Sequence, residues 1–560
     1  MASPPTADVL FHNGRVLTVD GANSIQQAIA VRGGMIRAVG TNDEVLALRG
    51  PGTTAINLGG RTLIPGIIDI HAHMDREGLK EICPSLAGAH STREIVSIVQ
   101  RLVSAARPGE WIVTMPIGDP PNYADVPGQL VPPRYPTRRD LDAVSPDNPV
   151  YIRGIWTPWN VPPSVAVANS MALKVTGINR DTPSPDPTIT IERDATGEPT
   201  GVLYDHNRFP ALEFTLMRMV PRFTHLQRVA GLKSAMKAYN AAGTTGIYEG
   251  HGVAPEVLDA YKDLWDTREM TVRSRLVLSP TWKTGAEAAR ELDRWAHSVS
   301  GQGFGDDMLR IGGVYIGYGG SQFTAQARMS QLPFTGCAGF VDSYHSPPLF
   351  RRLVSLCARR NLRVHTIVRG LMEEVLGTFE AVDEETPIDG KRWVLEHVLD
   401  TTPSQLRRIR RLGLVIETIP LTELWLRGGA ALRDPEVAER ATAHRSYSDH
   451  GVPFGMGTDN KPLNPFMTLW SAVARKERTS GDVLGANQRI DRMAALRALT
   501  MGGAYFSFDE SLRGSLEPGK QADIAVLSDD FLEMDVDRLV DLTSELTMVN
   551  GRIVHRTGAV

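Results

Sequence analysis

Short apolar runs broken by turn-forming residues dominate both ends of the chain, whereas the middle alternates apolar runs with amphipathic stretches of helical period. Near the N-terminus, Val9-Leu10-Phe11, Arg15-Val16-Leu17-Thr18-Val19, Ala28-Ile29-Ala30-Val31 and Ile36-Arg37-Ala38-Val39-Gly40 are separated by Asn13-Gly14 and Gly33-Gly34. Runs of this length fold as hairpins, because Asn and Gly accept the positive φ that tight turns require. The resulting all-β unit is too small to be complete. Its complement lies at the far end, where residues 514–527 read as a turn and a strand and residues 546–554 as a hairpin around Asn550-Gly551. Chain ends often meet on a domain surface, so residues 1–62 and 506–560 are expected to form one composite β-sandwich.

Between them, residues 63–505 alternate strand-like and helical patterns, the mark of parallel βα architecture. Strand-like runs at 64–70, 244–248, 274–278, 309–316, 362–368, 393–398, 414–419 and 453–457 supply the eight that a (β/α)8 TIM barrel needs, which places the chain in the α/β class. Residues 80–240 form an insertion after the first strand, with strands of their own at 111–115 and 150–153 and Pro-rich loops at 116–137 and 157–188. An insertion leaving a barrel strand at its C-terminal end emerges on the active-site face, so this one is expected to roof the pocket.

The first barrel strand carries the candidate chemistry. A Pro65-Gly66 turn feeds an Ile-rich run that ends on His71-Ala72-His73. Side chains at i and i+2 of an extended chain point the same way, so both imidazoles can address one point. His365 closes the fifth strand, Glu396-His397 the sixth, and Asp459 follows the eighth. Each residue alone has a mild explanation, as a hydrogen-bonded core histidine or a loop cap. Four histidines and an aspartate on converging strand ends make instead a site suited to zinc or a similar divalent ion.

Composition narrows the alternatives. The chain has 560 residues, 42% hydrophobic and 22% charged, with a formal net charge of -4. That balance suits a large packed core, and without a long basic run neither nucleic acid nor an anionic membrane is an expected partner. The arginines at 407–411 sit at helical spacing and read as a solvated face. No basic-then-apolar leader opens the sequence and no apolar run reaches about 18 residues, which points to the cytoplasm. Three dispersed cysteines, Cys83, Cys337 and Cys357, fit a reducing compartment. Gly317-Tyr318-Gly319-Gly320 lacks the Lys-Ser/Thr of a phosphate loop.

Taken together, the split sandwich, Pro65-Gly66 before His71-Ala72-His73, Asn169-Ser170-Met171-Ala172-Leu173, Gly197-Glu198-Pro199-Thr200-Gly201-Val202-Leu203, Glu396-His397, Asp459 and Gly514-Ser515-Leu516-Glu517-Pro518-Gly519-Lys520 carry a resemblance over almost the whole chain. The sequence resembles the amidohydrolase superfamily, specifically amidohydrolase family 3, the YtcJ-like group. The resemblance implies that His71, His73, His365 and His397 bind metal, and that Asp459 contacts the metal-bound water and shuttles its proton. Tyr315 stands where many relatives carry a carboxylated, metal-bridging lysine, which favours one zinc ion and leaves a second metal open. Glu249 ends the second strand and either reaches the site or only bonds His251 or a backbone amide. Arg369 replaces a usual Gly-Asp and could bind a substrate carboxylate or face solvent. Tyr315, Tyr318, Trp156, Trp159 and Trp425 fall near the loops of the C-terminal face and suit an aromatic or bulky acyl substrate.

The function expected is hydrolysis of a C–N bond in a small molecule, first an acyclic amide, with carbamate, ester or cyclic amide also open. Two other readings remain: a deaminase of an amino-heterocycle, and a non-catalytic binding or regulatory protein on the same fold. A homodimer is left open.

Overall fold

A computed structural model describes residues 6–120, 123, 125–154, 163–206, 211–319 and 344–560. Its central sheet runs in chain order through β1 (Ile67–Ala72), β2 (Thr244–Glu249), β3 (Arg273–Leu278), β4 (Leu309–Tyr315), β5 (Val364–Ile367), β6 (Val394–Glu396), β7 (Val415–Thr418) and β8 (Phe454–Met456). Each strand pairs in parallel with the next. The seam between β8 and β1 is joined just past the end of β8. There the Asp459 amide donates to the His71 carbonyl at 2.7 Å, and the Thr458 amide and hydroxyl donate to the Asp69 carboxylate at 3.0 and 2.5 Å. The barrel is therefore nearly closed, and the seam lies at the predicted metal ligands.

The interior is filled rather than hollow. Ile68, Ile70, Tyr248, Val277, Tyr315, Val394 and Val415 pack together, with Phe506 against them. Outside, helices such as Pro347–Arg359, Met372–Glu385 and Pro403–Arg411 bury Phe350, Leu353, Phe379 and Ile409 against the strands. Helix Pro403–Arg411 starts where it does because Thr402 and Gln405 cap each other, and its Arg408 pairs with Glu373 and Glu380 on the outer face, as a solvated arginine stripe should.

The run expected as one strand at 64–70 divides at Gly66. Thr62–Pro65 joins a six-stranded sheet with Arg15–Leu17, Ile25–Gln26, Ile524–Leu527, Ser544–Val549 and Arg552–Arg556, and only Ile67 onward enters the barrel. A Cβ at residue 66 would stand 2.3 Å from the Thr245 hydroxyl, so only glycine lets the chain turn this closely from one sheet into the other. A four-stranded sheet of Val9–His12, Ala28–Arg32, Met35–Gly40 and Thr54–Asn57 faces the six-stranded one. Phe11, Ile29 and Val31 from one sheet share a core with Leu63, Ile524, Val526 and Met548 from the other, so both chain ends build one sandwich.

Sandwich and barrel are bolted by a buried ion pair. Arg273 at the start of β3 donates to both oxygens of Asp523, at 2.7 and 3.0 Å, and both side chains are almost wholly buried. Replacing Asp523 by Ala would strand the guanidinium and is expected to cost about 3–5 kcal/mol in urea unfolding. A loss below about 1 kcal/mol would show that Arg273 finds adequate partners elsewhere.

Residues between β1 and β2 hold a separate five-stranded sheet, ordered Ile189–Arg193, Pro199–Asp205, Ser164–Ala168, Val150–Ile152, Ile112–Thr114. Two of these strands were expected. Asn169 anchors the sheet: its carbonyl oxygen accepts from the Val150 and Ala172 amides, both at 2.9 Å, which ties a strand to the N-terminus of helix Ser170–Thr176.

Candidate metal centre

Four histidine rings meet at the C-terminal end of the barrel. His71 and His73 come from the end of β1, His397 follows β6, and His251 lies two residues beyond β2. The His71 ring centroid is 4.7 Å from that of His251, 4.8 Å from that of His397 and 5.2 Å from that of His73. Nε2 of His251 and Nε2 of His397 are 3.3 Å apart, and Nε2 of His73 is 3.3 Å from Oδ1 of Asp459. One ligand atom each from His71, His251 and His397 falls within a 4.8 Å group, and so does one each from His71, His73 and Asp459. All five side chains are buried.

Behind the rings stand four glutamates. Nδ1 of His71 is 3.5 Å from Glu417, Nδ1 of His73 is 3.7 Å from Glu249, Nδ1 of His251 is 3.4 Å from Glu396, and Nδ1 of His397 is 3.7 Å from Glu423. A carboxylate on the far nitrogen fixes tautomer and ring direction and makes the near nitrogen a better donor to a metal, so this pairing is what a metal-binding histidine shell requires. At His397 the carboxylate is shared, because Arg369 pairs with Glu423 and also stands 3.2 Å from Nδ1.

These carboxylates shape the local protonation. Burial pushes the His71 imidazolium down, but Glu417, with Asp459 and Glu396, overcomes it and lifts the ring to about 9. Burial raises Glu249 to about 7 despite the Tyr261 hydroxyl at 2.6 Å. Burial would also raise Asp459, yet Lys461, foremost among its neighbours, holds it well below the usual carboxylate range. Lys461 is itself buried, with Nζ 2.5 Å from Oδ2 of Asp459, and burial pushes it down to about 7. Arg76 adds a contact of 3.4 Å to Oδ1.

The backbone is bent to bring these groups in. His251, His397 and Asp459 have φ of 61°, 54° and 51°, the left-handed region that non-glycine residues seldom enter. Such conformations cost on the order of 1–3 kcal/mol each and concentrate at functional sites.

Not every expected residue joins the cluster. His365 sits in the barrel interior, where Nδ1 is 3.1 Å from Glu396 and Nε2 is 3.2 Å from the Tyr248 hydroxyl. Tyr315 is fully buried in the interior layer, its ring 5.7 Å from that of His251. Glu249 accepts from the Met74 amide at 2.9 Å and faces His73, so it does both things the sequence left open. Trp425 lies on the turn of helix Leu421–Leu426 beneath the Arg478 guanidinium, 5.7 Å from its ring centre. Arg369 is tied to Glu423 rather than turned to solvent. Trp156 and Trp159, like Cys337, lie outside the described residues. His251, Glu417, Glu423 and Lys461 were missed as site residues. A carboxylate amid the apolar Val415-Ile416-Glu417-Thr418 run, and a histidine between two glycines just past a strand, were the available signals.

A sequence model of the amidohydrolase family matches residues 54–555. The chain belongs to the amidohydrolase family. Similar proteins include the putative amidohydrolase YtcJ of Bacillus subtilis, 25% identical over 98% of this chain and 99% of that one. The N-substituted formamide deformylase of Arthrobacter pascens is 26% identical over 99% of both. Among solved structures, an uncharacterized metal-dependent hydrolase from Pyrococcus furiosus shares the fold, with a TM-score of 0.67, 21% identity and coverage of 94% of this chain and all of that one. Among the described residues of this amidohydrolase, no helix is long and apolar enough to cross a membrane.

The donor set fits a divalent ion by two independent signs. The His71 ring is wholly buried with Nδ1 turned to Glu417, and its Nε2 makes no hydrogen bond, a costly arrangement that a metal bond would relieve. Glycine at position 250 keeps the space beside that ring open, since a Cβ there would stand 2.5 Å from Nε2 of His71. Gly250→Ala in this amidohydrolase is therefore expected to weaken zinc binding by at least about 10–100-fold, the range seen when a ligand's orientation is disturbed. Competition with a chromophoric chelator measures it, and unchanged affinity would place the ion elsewhere.

Proposed function

We propose that the chain is a metal-dependent hydrolase that cleaves the C–N bond of a small acyclic amide, using one zinc ion. The observation that carries this reading is the convergence of four imidazoles and Asp459, each imidazole backed by its own glutamate. When bound, the ion supplies a Lewis acid and brings the pKa of a coordinated water toward ~7.

The chain's own groups do the rest. Asp459, held ionised beside Lys461 and Arg76, is placed to accept the proton of the attacking water at a carboxylate oxygen and to return it to the departing nitrogen. Lys461 and Arg76 keep that carboxylate in one orientation throughout. The glutamates hold the rings so that little reorganisation accompanies the reaction. We read residues 80–240 as the roof that limits water entry and shapes substrate preference. Supporting contacts are the ion pairs of Arg228 with Asp75 in helix Met74–Leu79 and of Asp125 with Arg478, which tie the insertion to the barrel.

The acyclic amide is preferred because the formamide deformylase matches this chain end to end. The test is a product screen on zinc-loaded protein: N-formyl and N-acyl amines against amino-heterocycles, following carboxylate and ammonia release separately. Carboxylate release from the amines is the expected result. Ammonia from a heterocycle would mark a deaminase, and neither product from metal-loaded protein would point to a non-catalytic role.

A further inference from the structure

Three residues in and just before β5 lie in layers on the inward side. Arg363 lies lowest, donating to the Phe506 carbonyl at 2.6 Å and stacked over the Phe506 ring at 4.7 Å. Ile367 lies highest, packed against the interior cluster. His365 is held between them, its ring stacked on Tyr248 at 5.1 Å with both nitrogens engaged, one by Glu396 and the other by the Tyr248 hydroxyl. To reach the other imidazoles it would have to give up both contacts.

His251 occupies the place this leaves. The chain after β2 reads Gly250-His251-Gly252, with left-handed φ at His251 and Gly252, and this kink swings the ring inward. It stacks on His397 at 5.2 Å and on His73 at 5.3 Å, and meets His71 edge-on at 4.7 Å. Glu396 connects the two histidines: Oε1 is 3.1 Å from Nδ1 of His365, and Oε2 is 3.4 Å from Nδ1 of His251.

The geometry points to a relocated ligand: His251, from the loop after β2, binds the metal in place of the β5 histidine, and His365 serves as a positioning residue that braces Glu396 behind it. The inference rests on the metal-centre reading above and names which chain segment completes it. A ligand on a glycine-flanked loop also couples the metal to the stretch between β2 and the next helix, where a strand-borne histidine would have been fixed by the sheet alone.

The deciding measurement counts imidazoles at the metal. Zinc K-edge absorption fine structure is recorded on zinc-loaded wild type, His251→Asn and His365→Gln, with affinity read by chelator competition. Asn tolerates left-handed φ, and Gln keeps a donor toward Glu396, so neither change forces the backbone to move. The expected result is a loss of one imidazole in His251→Asn with affinity down more than about 100-fold, beyond the usual cost of disturbing a supporting group. His365→Gln keeps the wild-type imidazole count and loses at most about 10–100-fold. A missing imidazole in His365→Gln, or an unchanged count in His251→Asn, overturns the relocation while leaving a metal centre intact. Wild-type protein that takes up no zinc overturns the metal-centre reading itself, and this inference with it.

Discussion

Asp459→Asn is expected to lower kcat by about 10²–10⁴-fold, the contribution of a positioned proton-transfer group. The same change has a structural cost. Lys461 and Arg76 are buried against that carboxylate, and removing its charge weakens the hold on Arg76 and drives Lys461, already lowered to about 7, toward the neutral amine. Breaking a buried pair costs about 3–5 kcal/mol, so Asp459→Asn should also unfold at lower urea concentration. The two effects separate in the double variant Asp459→Asn/Lys461→Met. Replacing the buried lysine by an apolar side chain should recover much of the lost stability and none of the turnover. Recovery of turnover would show that Asp459 acts only by neutralising Lys461.

Stripping the metal is expected to abolish turnover and to soften the C-terminal face of the barrel. The shell buries four histidines among charged groups, and Nε2 of the His71 ring makes no hydrogen bond, so the metal-free protein keeps an unrelieved polar atom in its interior. Adding zinc at about 1,000 times its Kd should raise unfolding free energy by about 4 kcal/mol through linkage alone. Dialysis against a chelator, then titration with zinc while following activity and thermal unfolding, tests both effects. Full turnover in chelator-treated protein, with no metal by elemental analysis, would contradict the account.

The fold was legible in the sequence because its signals were local. Period-two runs, Asn-Gly turns and apolar strands at βα spacing each depend on a few neighbouring residues, and all eight barrel strands appear near their expected places. The division at Gly66 was hidden because Thr62–Pro65 and Ile67–Ala72 read as one apolar run. What parts them is the approach of Thr245, almost 180 residues away in sequence.

The site was legible by residue type and less so by geometry. His71, His73, His397 and Asp459 meet because strand ends of a barrel converge. His365 does not join them. Its position at the end of an apolar run gave no hint of depth along the barrel axis, nor of the Tyr248 hydroxyl waiting beside it. His251 was passed over because it follows its strand by two residues, and only a left-handed backbone brings it inward. Three of the supporting glutamates, Glu249, Glu396 and Glu417, were visible as charges in apolar strands, Glu417 most plainly, whereas Glu423 lies on helix Leu421–Leu426. Which histidine each one faces depends on the closed barrel.

On this reading the imidazoles of His71, His73, His251 and His397, with Asp459, enclose a single metal. Crystals of zinc-loaded protein measured on both sides of the zinc absorption edge test it directly. One anomalous peak is expected in the space bounded by these five side chains, about 2.0–2.1 Å from the ring nitrogens that bind it. Two peaks there, or a single peak outside that space, would contradict it.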